Sequence, residues 1–240
     1  MTWQTYVAIG DSLTAGTGDQ YPGIEHLSWS DRLAQALASH AQGFKYHNLA
    51  VRGKTSAEMI AEQLRRAVDL KPDFVTILAG GNDIRVSGWH PEQFRQNLTT
   101  LVQPFAESGV TVAVVAMIDN HLAQPVAMQD HMRPMYAAVR LVNRVVRDVA
   151  RDYGLLLIDL EQVVDLHDME MISADGIHAN SYGYIKIAAE AARQLSAQTG
   201  LMLAHPALNV PDFVPQRHRV FREMLHQMDF AAHDAPELIN

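Results

Sequence analysis

The sequence alternates short apolar runs with longer amphipathic stretches, and this alternation constrains the fold more than any other feature. Strand-like runs lie at residues 6–9, 44–49, 73–79, 110–117 and 155–158. Strands that alternate with helices indicate βαβ units, and right-handed crossovers then cover both faces of a parallel sheet with helices. The sequence therefore predicts an α/β fold, a three-layer α/β/α sandwich whose five-stranded parallel sheet has the flavodoxin-like order 2-1-3-4-5.

Local signals place the helices between these strands. Ser30 is predicted to cap the first long helix, and residues 55–58 have the spacing of a capping box. Pro91 suits the first turn of a helix, and Pro104 is expected to kink or end that helix. Pro134 is interpreted as the start of the next helix.

The length of 240 residues fits one α/β domain with a small appendage. We assign residues 1–200 to the domain, which closes with a helix near residues 184–195, and residues 201–240 to a C-terminal extension. Residues 217–230 carry apolar side chains at helical spacing. The extension is therefore predicted to be helical and packed on the domain or on a partner subunit, an arrangement favoured over a membrane-surface helix.

Composition excludes several classes of protein. The chain has 19 basic and 27 acidic residues, so its acidic surface disfavours nucleic acid as a partner. It contains no cysteine, which excludes disulfides, thiolate catalysis and cysteine-ligated metals. Its first residues lack a secretion signal, and no apolar run approaches the length of a membrane span. We expect a cytoplasmic protein with no stable membrane insertion.

Polar residues follow the predicted strands at the sheet edge where ligands bind in folds of this kind. Ser12 comes directly after the first strand, where a serine is either a nucleophile or only a helix cap. Gly53 follows the second strand and has a backbone N–H that no side chain obstructs. Asn82 follows the third strand and offers an amide donor.

Asp175 and His178 follow the fifth strand. Their spacing allows one turn to bring the carboxylate to the imidazole, whose other nitrogen can then reach Ser12. Each residue alone has a structural explanation as part of a turn or a cap. Together they place a nucleophile, two donors and an oriented base at one sheet edge, which favours the catalytic interpretation.

These segments resemble the four blocks of the SGNH, or GDSL, hydrolase family. In the family's order, they are Gly10-Asp11-Ser12-Leu13, Gly53, Gly80-x-Asn82-Asp83 and Asp175-x-x-His178. The resemblance covers most of residues 6–190. One departure is that Ala179-Asn180 follows the histidine, where many relatives have a proline.

The resemblance implies the SGNH hydrolase fold and hydrolysis of esters or thioesters without a metal or cofactor. It assigns Ser12 as the nucleophile, His178 as the base and Asp175 as the residue that orients the base. It also implies an oxyanion hole that consists of the Ser12 N–H, the Gly53 N–H and the Asn82 side-chain amide. We therefore expect a serine esterase whose partner is a small-molecule ester, with small or medium acyl chains favoured.

Several alternatives stay open. An acyltransferase or a thioesterase would use the same site, and a catalytically silent binding protein could have the same fold. A metallohydrolase using Asp11, Asn82 and His178 is conceivable, although few further ligands can be placed. Nucleotide binding is disfavoured, because residues 10–18 lack both the Lys-Ser or Lys-Thr of a phosphate loop and the third glycine of a dinucleotide fingerprint. The extension could also support a homo-oligomer.

The substrate pocket is expected to be walled by loops at residues 17–29, 84–90 and 118–133. The middle of the third loop, residues 121–131, is predicted to form a lid. Candidate substrate-binding residues in or beside the four blocks are Asp11, Asp83, Arg85 and Trp89.

Overall fold

A parallel sheet lies between two layers of helices in the computed structural model, which describes residues 2–119, 126–161, 163 and 169–210. Its strands are β1 (Thr5–Gly10), β2 (Lys45–Asn48), β3 (Phe74–Leu78), β4 (Thr111–Ala116) and β5 (Leu156–Asp159). They pair in the order β2-β1-β3-β4-β5, and every pairing is parallel. The predicted fold class and strand order are confirmed. The order reverses between β1 and β3, whose carboxyl ends therefore border the ligand crevice.

The helices of the described residues form the two outer layers. They are α1 (Ser12–Ala15), α2 (Trp29–Ala38), α3 (Ser56–Met59), α4 (Arg65–Asp69), α5 (Pro91–Glu107), α6 (Val126–Tyr153) and α7 (Ser181–Thr199). A π-helical turn, Ile60–Leu64, joins α3 to α4 without a break. α2 packs on α7 in one layer, and α5 packs on α6 in the other.

The central strands are buried because helices cover both of their faces. Every residue of β3 is buried, and β1 and β4 are partly exposed only at their first residue. Trp3 stacks on Phe74 at the start of β3, with ring centroids 4.1 Å apart. The hydroxyl of Tyr6 is hydrogen-bonded to that of Thr76 at 2.8 Å, so the polar atoms between β1 and β3 are paired.

The helix starts agree with the sequence signals except in α2 and α6. The capping box that starts at Thr55 is confirmed. α2, however, is capped by Ser28 and not by Ser30, because Ser28 and Asp31 exchange hydrogen bonds between their side chains and backbone N–H groups. This reciprocal pair fixes the start of the helix two residues earlier than predicted. α5 begins at Pro91 as expected and ends three residues after Pro104.

The predicted start of α6 near Pro134 is wrong. The helix begins at Val126 and continues through the proline for 28 residues. Met132 and Tyr136 pack against the core on either side of Pro134. The apolar face therefore extends past the proline, and its burial outweighs the one backbone hydrogen bond that proline removes. Residues 126–133 of the predicted third loop are thus helical, and residues 120–125 lie outside the described part of the chain.

The outer edge of β5 is covered by two side chains of α7. The amide of Gln194 pairs with both backbone groups of Asp159, at 2.7 Å to the N–H and 2.8 Å to the carbonyl. The amide of Gln198 pairs in the same way with Leu157, at 3.1 and 2.8 Å. These glutamines occupy the hydrogen-bonding positions that an added strand would use.

Residues 201–210 pack on the domain after α7 ends. Leu203 and Leu208 are buried, and Arg32 of α2 donates a hydrogen bond to the carbonyl of Ala207. Residues 211–240 lie outside the described residues, so the domain boundary at residue 200 and the helical extension stay predictions. In the ranges that the structure describes, no helix is both long enough and apolar enough to span a membrane.

Candidate active site

Ser12 and His178 meet at the carboxyl edge of the sheet. The Nε2 atom of His178 lies 2.9 Å from the hydroxyl oxygen of Ser12, across 166 positions of sequence. The Nδ1 atom of the same ring lies 2.5 Å from Oδ2 of Asp175. Ser12 is 8% exposed and His178 is 7% exposed. A carboxylate, an imidazole and a serine hydroxyl in this order are arranged as in an activated serine nucleophile.

Asp175 is oriented by its own turn. Its Oδ1 atom accepts hydrogen bonds from the backbone N–H groups of Ile177 and His178, both at 3.0 Å, which leaves Oδ2 for the imidazole. Burial acts to raise the pKa of Asp175, but the hydrogen bonds from the imidazole and the two N–H groups outweigh it and hold this pKa below its usual value. An ionised Asp175 favours a proton on Nδ1 of His178, so Nε2 can accept the Ser12 proton.

Ser12 is the first residue of α1, directly after β1. The helix cap is Asp11, whose Oδ1 atom accepts the N–H of Leu13 at 3.1 Å. Ser12 therefore does not serve as the cap, and its hydroxyl faces the imidazole. Gly10 is required before this turn, because a Cβ atom at position 10 would lie 2.5 Å from Oγ1 of Thr14.

Asn82 lies between two acceptors. Its Nδ2 atom is 3.1 Å from Oδ2 of Asp11 and 3.1 Å from the carbonyl oxygen of Lys54. Both N–H bonds of the amide are thus directed at protein groups. Asp11 is 3% exposed, and this burial raises its pKa to about 6, against the opposing effects of the Leu13 N–H and His178. A buried, proton-accepting carboxyl group therefore lies beside both Ser12 and Asn82.

Gly53 lies in the exposed turn between β2 and α3. Its φ angle is 81°, and a Cβ atom there would meet nothing within 4 Å, so the requirement for glycine comes from the backbone conformation. The neighbouring Lys54 carbonyl is the group that accepts from Asn82. This hydrogen bond brings the Gly53 turn to the Asn82 turn, and Asn82 in turn contacts Asp11.

The predicted substrate-binding residues have different surroundings. Asp83 is buried, and its carboxylate accepts hydrogen bonds from the backbone N–H of Ser56 at 3.0 Å and from the Ser56 hydroxyl. Its carboxylate therefore holds the start of α3, which argues against the predicted substrate contact. Arg85 is exposed, and Trp89 is half-buried against the core. Substrate contacts of Asp11, Arg85 and Trp89 stay predictions.

Asp19 buttresses the turn that carries Asp175 and His178. Its carboxylate accepts the N–H of Ala174 at 2.7 Å, and its own N–H donates to the hydroxyl of Ser173 at 2.8 Å. Its carbonyl accepts the N–H of Ser181 at the start of α7, at 3.0 Å. No sequence pattern marks Asp19, because all three partners lie more than 150 positions away.

Gly18 allows this loop to approach the His178 segment closely. Its φ angle is 150°, and a Cβ atom at this position would lie 2.0 Å from the carbonyl oxygen of Ala179 and 2.8 Å from Oγ of Ser173. A side chain at position 18 would therefore displace the residue next to His178. The sequence signal for this close approach is the pair of glycines at positions 16 and 18.

Asn180 fixes the turn after His178, where many relatives have a proline. Its Oδ1 atom accepts the N–H of Gly183 at 3.0 Å and so caps α7, and its Nδ2 atom donates to the carbonyl of Glu170 at 2.7 Å. The side chain is fully buried. Asn180 thus fixes the turn by hydrogen bonds.

Gln63 is a buried amide of the π-helical turn that contacts the end of β1. Its Oε1 atom accepts the N–H of Gly10 at 3.0 Å, and its Nε2 atom donates to the Gly10 carbonyl at 2.9 Å. Gln63 is only 2% exposed and therefore belongs to the protein interior. The sequence signal for a buried Gln63 is a polar residue on an otherwise apolar helix face. Met59 and Ala67, four positions before and after it, lie on the same face and are also buried.

Known proteins resemble this chain over most of the site-bearing domain. The profile of the GDSL-like lipase/acylhydrolase family matches residues 8–185. Esterase TesA of Pseudomonas aeruginosa is 29% identical over 178 residues, which cover 73% of this chain and 79% of that protein. An acetylxylan esterase of Xylanibacter ruminicola is 27% identical over 206 residues, covering 75% of this chain but only 40% of the relative.

At least one solved structure has the same fold as this chain. The crystal structure of the lipase/acylhydrolase from Enterococcus faecalis superposes with a TM-score of 0.65 and 23% identity, covering 84% of this chain and 99% of that chain. At this identity the likeness concerns the fold alone. The family profile, by contrast, includes all four segments that carry Ser12, Gly53, Asn82 and His178. The chain belongs to the GDSL-like lipase/acylhydrolase family, of the SGNH hydrolase type.

Proposed function

We propose that this member of the family is a serine esterase that hydrolyses carboxylic esters, with small or medium acyl chains favoured, through an acyl-enzyme on Ser12. The observation that carries the proposal is the continuous contact from Asp175 through His178 to the Ser12 hydroxyl, at 2.5 and 2.9 Å. The two curated relatives, one named an esterase and the other an acetylxylan esterase, support the reaction class.

Acylation begins when the Ser12 oxygen attacks the ester carbonyl carbon and Nε2 of His178 takes the hydroxyl proton. The carbonyl π electrons move to oxygen, and the resulting tetrahedral intermediate carries a negative charge. When the intermediate collapses, the bond to the alcohol breaks and the alcohol leaves with the proton from Nε2. Asp175 holds the ring and stabilises its cationic form during this step.

Deacylation repeats the sequence with water. Nε2 of His178 takes a proton from water as the water oxygen attacks the acyl-enzyme carbonyl, and Ser12 leaves with that proton. The products are a carboxylic acid and the regenerated enzyme. A hydroxyl compound in the place of water would instead give acyl transfer.

The oxyanion is assigned to the N–H groups of Ser12 and Gly53 and to the Asn82 side chain. Because both N–H bonds of Asn82 already have acceptors, at Asp11 and Lys54, the oxyanion has to share or replace one of them. The same two hydrogen bonds hold the amide in place before substrate arrives. Gly53 contributes from a turn whose backbone conformation requires glycine.

The test uses p-nitrophenyl esters from acetyl to palmitoyl. We expect Ser12→Ala to abolish turnover almost completely, and Asn82→Ala to lower kcat by roughly 10²–10³-fold, as is usual for the loss of one oxyanion donor. The exposed Ser108, in the turn between α5 and β4 at the opposite edge of the sheet, offers a control, and Ser108→Ala is expected to retain full activity. Turnover of Ser12→Ala at the wild-type rate would eliminate this mechanism.

Acetylated sugars are the second substrate class to test, since one of the relatives is named an acetylxylan esterase. Acyl-thioesters test the thioesterase alternative. Product analysis with and without an added alcohol separates hydrolysis from acyl transfer, because only transfer forms a new ester.

A metallohydrolase and a silent binding protein have weaker support. Both carboxylate oxygens of Asp11 already accept hydrogen bonds, and His178 faces Ser12. Full activity in excess chelator would argue against the metallohydrolase. A protein that binds an ester without turnover, and whose Ser12 does not react with a phosphonate ester, would instead be a binding protein.

A further inference from the structure

We propose that Gln63 is a positioning residue for Ser12, which acts by holding the backbone of Gly10 at the end of β1. This inference rests on the proposed esterase function. Gln63 pairs with both backbone groups of Gly10, at 3.0 and 2.9 Å, in the manner of an adjacent strand. Two residues further along the chain is the Ser12 hydroxyl.

Gly10 needs this partner because β2 is too short to supply it. The paired register of β1 and β2 ends at Ala8 and Asn48. Beyond that point the N–H of Val51 still reaches the Gly10 carbonyl at 3.2 Å, but the Gly10 N–H donates to Gln63. The amide therefore extends the hydrogen-bonding pattern of the sheet up to the residue at which the nucleophile turn begins.

The position of Gln63 in a π-helical turn supports a specific role. Such turns are rare, occur mostly as single turns within α-helices, and are frequent at functional sites. The turn spans Ile60–Leu64, between α3 and α4. Here both polar atoms of a buried glutamine point to a single backbone residue, and that residue leads directly into Asp11 and Ser12.

The same helical segment also contacts the Asn82 turn. Just before α3, the carbonyl of Lys54 accepts from Asn82, and Ser56 at its start donates to the Asp83 carboxylate. One helical segment from residue 56 to residue 69 therefore ties the turn of the nucleophile to the turn of the predicted oxyanion donor. Removing the Gln63 contact would leave the Asn82 turn attached and release only Gly10.

The first experiment compares Gln63→Met with Gln194→Met. Methionine has nearly the volume of glutamine, so each variant loses one bidentate amide–backbone pair, at Gly10 or at Asp159 on the sheet edge. We expect Gln63→Met to lower kcat roughly 10- to 100-fold, the scale of a small misplacement of a reacting group, with KM nearly unchanged. Gln194→Met is expected to remain within about twofold of wild type.

A second readout reports on Ser12 directly. The rate of Ser12 phosphonylation by a p-nitrophenyl phosphonate, per folded protein, is expected to fall in parallel with kcat in Gln63→Met. Folded protein is measured by circular dichroism well below the unfolding temperature. If Gln63→Met reacts at the rate of Gln194→Met, the assignment is overturned, because a purely structural glutamine lowers stability without changing the reactivity of folded protein.

Gln63→Glu tests the same contact with a side chain of nearly the same shape. This variant replaces Gln63→Met in the experiment if Gln63→Met does not fold. A protonated carboxyl group can both donate to the Gly10 carbonyl and accept from its N–H, whereas an ionised carboxylate can only accept. The ratio of the Gln63→Glu phosphonylation rate to the wild-type rate is therefore expected to rise as the pH falls. A ratio independent of pH would contradict the role assigned to Gln63.

The two proposals fail in distinguishable ways. Wild-type protein that neither cleaves esters nor reacts with the phosphonate refutes the esterase function itself. Wild-type protein that reacts, alongside a Gln63→Met variant that reacts equally fast, refutes only the positioning role.

Discussion

The carboxylate of Asp11 accepts a hydrogen bond at 3.1 Å from the side-chain amide of Asn82. Asp11, the residue before the proposed nucleophile Ser12, is thereby linked to the predicted oxyanion donor, although the two lie 71 positions apart. Because burial raises the pKa of Asp11 to about 6, this link includes a carboxyl group that titrates near pH 6.

Asp11→Asn tests this titration through stability. The folded pKa of about 6 exceeds the ordinary value of 3.8, so the folded protein binds the proton more tightly than the unfolded chain does. The contribution of Asp11 to stability therefore falls as the pH rises from about 4 to about 6, by up to about 3 kcal/mol. We expect the free energy of unfolding of wild type minus that of Asp11→Asn to decrease over this range and then to level off.

Urea unfolding of both proteins between pH 4 and pH 8 measures this difference. Any pH-independent cost of the asparagine cancels, since only the change with pH is compared. A difference that stays constant or increases with pH would show that Asp11 is ionised at lower pH than its burial implies.

Gly18→Ala tests the close approach of the first loop to the His178 segment. The added methyl group would lie 2.0 Å from the Ala179 carbonyl oxygen, so the backbone next to His178 has to move. We expect kcat toward p-nitrophenyl acetate to fall by at least about tenfold, because a shift of about 1 Å at a reacting group has effects of this size or larger.

Gly23→Ala is the matched control in the same loop. Gly23 also has a positive φ angle, 78°, but a Cβ atom there would meet nothing within 4 Å. The Gly23→Ala variant is expected to lose about 1 kcal/mol in the free energy of unfolding and to keep nearly all of its activity. Equal losses of kcat in the two variants would mean that backbone strain alone, and not displacement of His178, explains the effect.

Asp83→Ala tests whether Asp83 supports the fold. The substitution leaves the buried N–H and hydroxyl of Ser56 without their acceptor, so we expect a loss of roughly 2–4 kcal/mol in the free energy of unfolding. Asp69→Ala serves as the comparison, since Asp69 pairs with Arg65 at the surface and is expected to contribute about 0–1 kcal/mol. Urea unfolding in which Asp83→Ala is as stable as wild type would reopen a role in substrate binding.

Much of the fold and the placement of the site residues could be predicted because they follow from local patterns. Buried parallel strands appear as apolar runs, and in such a sheet the residues that follow the strands gather at one edge. Ser12, Asn82 and His178 each follow a strand in sequence, and the structure brings them to the same edge. Their convergence therefore required only the strand assignment and the direction of the crossovers.

The supporting contacts could not be predicted in this way. Asp19 meets Ser173 across 154 positions, and Gln63 meets Gly10 across 53, in each case through a backbone group that leaves no trace in the sequence. The start of α6 differs from the prediction because Pro134 is a strong local signal, whereas the apolar face that continues past it depends on tertiary packing. Local signals fail where long-range burial decides the structure.

The pairing of Gln194 and Gln198 with β5 limits how copies of this chain can associate. The backbone groups at residues 157 and 159 are satisfied from within the same molecule, so a neighbouring strand could dock there only by displacing both glutamines. Joining two sheets into one continuous ribbon at β5 is therefore disfavoured. Self-association of this protein, where it occurs, is therefore expected at surfaces other than this end of the sheet.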